Sequence, residues 1–178
     1  MSNDAIDKAE VERLIGLLGT IRYNETGCVA RIVGKPAPGE HAPLDAVDVV
    51  EGVGLVTDHA RKDWWRGARV PGREVTAVAD EVLAVLGVDP LVVGDNLITR
   101  GIDLTALGPG DLVQVGSVVL ERSPAEHRPC RLFRDRTSPE AFGVVARGFR
   151  GALFSVRKSG RIATGDAIRV LARADRAA

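Results

Sequence analysis

Cysteine is scarce in this chain: Cys28 and Cys130 are the only two, which excludes a disulfide framework and leaves any thiol chemistry to a free thiol. Net charge is absent, with 24 basic residues against 24 acidic ones, so the basic excess of a general nucleic-acid binder is missing. No run approaches the roughly 18 apolar residues that span a bilayer, and no membrane association is expected. The N-terminal "MSNDAIDKAEVERL" is charged and lacks the apolar core of a signal peptide. A cytoplasmic, reducing setting is the expectation. There is no Walker-type loop, and no G-x-G-x-x-G follows a strand pattern. His127-x-x-Cys130 has zinc-ligand spacing, but no second paired half-site accompanies it, so a structural zinc site is not expected. Lysine is rare at 4 residues, whereas arginine numbers 20. Arginine suits bidentate capture of phosphate or carboxylate, and a biased coding composition gives the same ratio.

What is present is a succession of short strand patterns. "CVARIV" (28–33), "AVDVVEG" (46–52), "REVTAVA" (73–79), "DLVQVG" (111–116), "SVVLER" (117–122), "ALFSVR" (152–157) and "AIRVLAR" (167–173) are rich in Val and Ile and separated by Gly, Pro, Asn or Asp. Gly116 predicts a tight hairpin. "PGDLVQV" (109–115) and "TGDAIRV" (164–170) share G-D-x-[IV]-x-V, each a turn feeding a strand. Three helices are predicted. Residues 4–18 are amphipathic with Gly19 as the stop, 79–87 has Asp80 as N-cap, and 138–149 opens with Ser138 as N-cap and Pro139 at the first position. Many strands with few helices predict a mainly β, barrel-like fold, with residues 1–20 as a helical appendage and 21–178 as the barrel domain.

Two places carry chemistry. "HRPCRLF" (127–133) surrounds Cys130 with His127, Arg128 and Arg131, and Arg134 follows directly. Cations beside a thiol stabilise the reactive thiolate if they point inward, and the same pattern describes an inert cysteine among solvated arginines. Cys28, inside a strand pattern, reads as packing. Residues 52–72 form the longest stretch without a strand or helix signal and include His59 and Trp64-Trp65. Such a segment lines a pocket or covers one, and the tryptophans are packing or a stacking platform for a planar ligand.

The stretch "GDNLITRGIDLTALGPGDLVQVGSVVLERSPAEHRPC" resembles the MOSC family, named for the C-terminal domain of molybdenum cofactor sulfurase. The matching residues are Gly94, Asp95, Asn96, Leu97, Thr99, Gly101 and Asp103, then Pro109-Gly110-Asp111, then Arg128-Pro129-Cys130. "GLVTDHA" and "GREVTAVADEVLAVLG" upstream and "ALFSVRKSGRIATGDAIRVL" downstream are similar to further family segments, from about residue 25 to 172. The family arginine between Asp and His is missing, since Asp58 precedes His59 directly, and Thr57 stands where glycine is usual.

The resemblance implies a β-barrel around a pocket and a link to the pterin–molybdenum cofactor. Members reduce N-hydroxylated compounds or handle the sulfur of the cofactor. It assigns Cys130 as the catalytic thiolate and metal ligand, with His59, Arg73, Asn96, Thr99, Arg128 and Arg131 as cofactor-binding candidates. Nothing suggests an Fe–S, flavin or NAD site, so an electron-donor or sulfur-donor protein is the implied partner of a small-molecule reaction. The competing expectation is a non-catalytic barrel that binds an anionic small molecule or a partner protein without metal.

Overall fold

The structure, a computed structural model, describes residues 6–65 and 67–175, without the side chain of Trp65. Seven strands close into a barrel: β1 (Thr26–Gly34), β7 (Val75–Ala79), β8 (Leu97–Arg100), β9 (Leu112–Val115), β10 (Val118–Arg122), β11 (Ala152–Lys158) and β13 (Ala167–Ala172). Around the ring the order is β1, β8, β7, β11, β10, β9, β13, and β13 returns to β1 with Thr26 opposite Arg169. Every neighbouring pair is antiparallel except β7 and β8. Parallel neighbours need a crossover, and the helices α2 (Asp80–Leu86) and α3 (Pro90–Val93) supply it. Outside the ring, β2 (Ala42–Leu44) extends β1, and β3 (Ala46–Val50), β4 (Gly54–Leu55) and β12 (Gly160–Ala163) form a small sheet. That sheet packs Val47, Val49, Leu55 and Ile162 into the same core as barrel residues Val29, Leu97, Val113 and Phe154.

All seven strand patterns become strands, although 46–50 joins the small sheet and not the barrel. The G-D echo has one physical basis. At each turn glycine takes positive φ (Gly110 +84°, Gly165 +90°), and the following carboxylate caps an N–H three residues back. Asp111 accepts from Gly108 at 2.9 Å and Asp166 from Ala163 at 2.8 Å.

The first helix, α1 (Lys8–Leu18), is capped by Asp7, whose carboxylate accepts from Ala9 at 2.9 Å; positions 4 and 5 of the predicted span lie outside the described residues. Its Val11, Leu14 and Leu18 pack with Val82 of α2 and Val144 of α5 (Pro139–Val144). The helix therefore sits on the helical flank of the molecule. At α2 the N-cap is Ala79 and not Asp80, because Asp80 is already helical and pairs with Arg100 at 2.5 Å. Ser138 and Pro139 open α5 as expected, Ser138 accepting from Ala141 at 3.0 Å, but the helix loosens into a wide turn over Val145–Phe149. Several elements carried no sequence signal, among them β2, β8, α3 and the short helix α4 (Arg131–Arg136). The 52–72 segment holds β4 and the small ribbon of β5 (Trp64–Trp65) and β6 (Ala68–Arg69). Arg61 lies 5.4 Å over the Trp64 ring, so one aromatic of the suggested platform already carries a cation. No helix among the described residues is long and apolar enough to cross a membrane.

Candidate functional site

Cys130 is the N-cap of α4, and its sulfur accepts the N–H of Phe133 at 3.4 Å. One side of the cysteine packs against the apolar layer of Phe133, Val93 and Ile98 between barrel and helices. The other side opens on a cleft of about 480 Å3 lined also by Val70, Arg73, His127, Arg128 and Leu153. A smaller recess of about 140 Å3 joins it through Arg73, His127 and Cys130, and brings in Lys35, His41, His59, Lys62, Asp95 and Arg150.

The cations at this cysteine are not the ones beside it in sequence. The Arg128 side chain is 83% exposed and pairs with Glu126 at 3.0 Å on the rim. Arg131 is 85% exposed and pairs with Asp135 at 3.3 Å, one turn along α4. Arg128 lies in the loop before α4 and Arg131 is the first residue of that helix, and both side chains point to solvent. Lys35, at the end of β1, and Lys62, Arg73 and Arg150 converge on the recess from four separate segments. Lys62 pairs with buried Asp58 at 3.5 Å, and Arg150 makes a close ion pair with Asp95 while its guanidinium lies 5.0 Å over Phe133. Arg73 has no carboxylate partner among the described residues, and its Nε is buried without a hydrogen bond.

His127 points inward, 4% exposed, with Nε2 3.6 Å from Asp95 and Nδ1 unpartnered. Burial, then the charges of Arg150, Arg73, Lys35 and Arg122, push its pKa well below the ordinary 6.5, so it is a neutral imidazole at neutral pH. His59 lines the recess, held by its backbone N–H donating to the Lys35 carbonyl at 2.8 Å. Asp58, its neighbour in "TDHA", accepts from the Lys35 N–H at 2.7 Å and from Asn96 Nδ2 at 2.8 Å. Asn96 and Thr99 are buried in the barrel wall at 0% and 1% exposure, the Asn96 carboxamide bonded to Lys35, Thr76, Asp58 and the Val33 carbonyl and the Thr99 hydroxyl donating to Val78. Gly94 of the same motif has no room for a Cβ, which would lie 2.3 Å from His41 Nε2 in the recess.

Sequence reasoning missed Lys35. Its ammonium donates to Asn96 Oδ1 at 3.1 Å and Thr76 Oγ1 at 3.3 Å. Burial lowers its pKa from 10.5 to about 8, partly offset by Asp95 and Asp58. The unfolded chain keeps this proton up to its ordinary pKa and the folded chain releases it near 8, so the Lys35 contribution to stability rises with pH from about 8 to 10.5. Urea unfolding across that range should show the wild type gaining on Lys35→Met as pH increases; a constant difference would count against the shift.

The residues present suit a cofactor that combines a thiophilic metal with an anionic group: a thiolate donor, a guanidinium without a counter-charge, and a cleft within the 300–1,000 Å3 usual for small-molecule sites. No group of three or more His, Cys, Asp or Glu able to hold a metal ion by itself occurs among the described residues.

A search of curated proteins finds no match to the chain. Among solved structures, the YuaD protein from Bacillus subtilis is similar, with a TM-score of 0.62 and 22% identity over 80% of this chain and 94% of that one. YiiM from Escherichia coli superposes with a TM-score of 0.57 at 19% identity, covering 83% of this chain and 71% of that one. YiiM from Geobacillus stearothermophilus gives 0.57 at 16% identity, covering 83% and 76%. These likenesses agree with the barrel built above. The family model of the MOSC domain matches residues 59–169, from His59 through Cys130 to the closing strand and more than half of the chain. This chain belongs to the MOSC domain family.

Proposed function

We propose that the chain binds the pterin–molybdenum cofactor, with Cys130 as its thiolate ligand, and acts in the reduction of N-hydroxylated compounds or in transfer of the cofactor's sulfur. The observation that carries this reading is the pairing, in one cleft, of an accessible sulfur with the unpaired guanidinium of Arg73. When bound, the cofactor supplies the centre at which an N–O bond is reduced or a sulfur is held. The chain's own residues supply the setting. Phe133 orients the sulfur through its N–H. Arg73, with Lys35 and Lys62 behind it, neutralises a phosphate. Neutral His127 offers Nδ1 as a donor or acceptor to a ligand oxygen without adding charge. His59 borders the recess and Arg128 the rim of the cleft. A donor protein delivers electrons or sulfur.

Protein purified from cells able to make the cofactor should contain about one molybdenum per chain, with the fluorescence of an oxidised pterin. Cys130→Ser should lose nearly all of the metal, and Arg73→Gln should retain about tenfold less, the scale of one lost charge-assisted hydrogen bond. Folded wild-type protein without molybdenum would sink the proposal and leave a barrel that binds an anion without metal. Turnover of an N-hydroxylated compound with an artificial reductant, against release of a persulfide sulfur, separates the two activities.

A further inference from the structure

Beside the cysteine cleft lies a second concavity, of about 590 Å3, which Cys130 does not line. The two share Glu126, His127, Arg128 and Pro129 as a common wall. Arg122, the last residue of β10, enters this concavity together with the exposed Thr105. The Arg122 guanidinium is pinned by Nη1, which donates to the carbonyls of Ala125 at 3.0 Å and, more closely, of Ser123. Its Nη2 makes no hydrogen bond among the described residues, and its Nε is buried with none.

The carboxylates around it are committed elsewhere. Glu121 holds Arg157 in a two-bond pair at 2.8 and 2.7 Å, Glu126 holds Arg128 at 3.0 Å, and Asp111 holds Arg173 at 2.9 Å. A half-buried charge without a counter-ion is costly, and fixed planar donors are what a two-oxygen anion requires. We propose that Arg122 anchors an oxyanion-binding subsite, which seats the carboxylate or phosphate group of a small molecule next to the Cys130 cleft. Burial alone, with no compensating carboxylate, also lowers the guanidinium's pKa, in keeping with a site lacking its anion. The inference does not rest on molybdenum binding, since no Cys130 atom takes part.

The test uses inorganic phosphate and succinate as separate probes, at constant ionic strength set with chloride. Affinity is read by calorimetry and the site by the arginine Nε–H resonances of the full chain. The Arg122 resonance, identified by its loss in Arg122→Lys, should shift with at least one probe, and Arg122→Gln should weaken that probe about tenfold. A response to phosphate alone identifies a phosphate ester, and a response to succinate alone a carboxylate. No shift with either probe, an equal shift with chloride, or binding lost in Arg73→Gln but unchanged in Arg122→Gln would overturn the proposal. If Arg122→Gln does not fold, Arg122→Lys serves in its place, because it keeps the charge and removes the planar donors. Cys130→Ser should leave this binding intact, so failure here and failure of the metal reading are separate results.

Discussion

Asn96→Ala should lower the unfolding free energy by about 3–5 kcal/mol, the range for breaking a buried charged network, and the melting temperature by roughly 10 °C. The Asn96 carboxamide is the hub of four segments. Its Oδ1 accepts from Lys35 Nζ at 3.1 Å and from the Thr76 backbone and hydroxyl, each at 3.2 Å. Its Nδ2 donates to Asp58 at 2.8 Å and to the Val33 carbonyl at 3.3 Å. Truncation leaves a buried ammonium, a buried carboxylate and a backbone N–H each short of a partner. Thr99→Val offers the contrast: that hydroxyl makes one bond, at 3.5 Å to Val78, and its loss should cost under about 1 kcal/mol. Denaturant unfolding checks both, and equal small effects would show that the network is not cooperative.

Asp95→Ala should cost a similar amount, about 3–5 kcal/mol, because it strands Arg150. Asp95 and Arg150 are 1% and 5% exposed, and Arg150 is otherwise held by the Val93 carbonyl at 3.3 Å and the face of Phe133. Arg150→Met should cost about as much, since it leaves the Asp95 carboxylate buried with only the neutral His127 beside it, at 3.6 Å. The double variant Asp95→Leu, Arg150→Met should recover part of the loss. A double-mutant cycle measures the coupling, and strict additivity would mean that the pair contributes nothing beyond its separate packing.

The barrel was legible because alternation of Val and Ile is a local signal, and each of the seven strand patterns formed where it stood. Segment β8 was not seen as a strand because Leu97, Ile98 and Thr99 are buried together and show no alternation. For the site, motif order pointed to Cys130 and Arg73, which line the cleft, and to His59, which lines the adjoining recess. It could not say which polar motif residues face inward to the fold. Within the G-D-N segment Asp95 holds Arg150, Asn96 ties Val33 and Thr76 to Asp58, and Gly94 admits His41, while Gly94 and Asp95 also line the recess. The arginines next to Cys130 in sequence were the wrong guide to its surroundings. The cations that share a recess with it come from residues 35, 62, 73 and 150, a convergence that only the closed ring creates.

That ring has a consequence for how the chain is made. Its first strand is completed by its last, so residues about 140 positions apart must meet before the cylinder exists. A nascent or truncated chain that stops short of Ala167 would leave β1 and β9 each with a bare flank, a template for pairing with another copy. Such fragments should be sticky and slow to acquire protection from hydrogen exchange, whereas the finished chain offers neither flank to a neighbour.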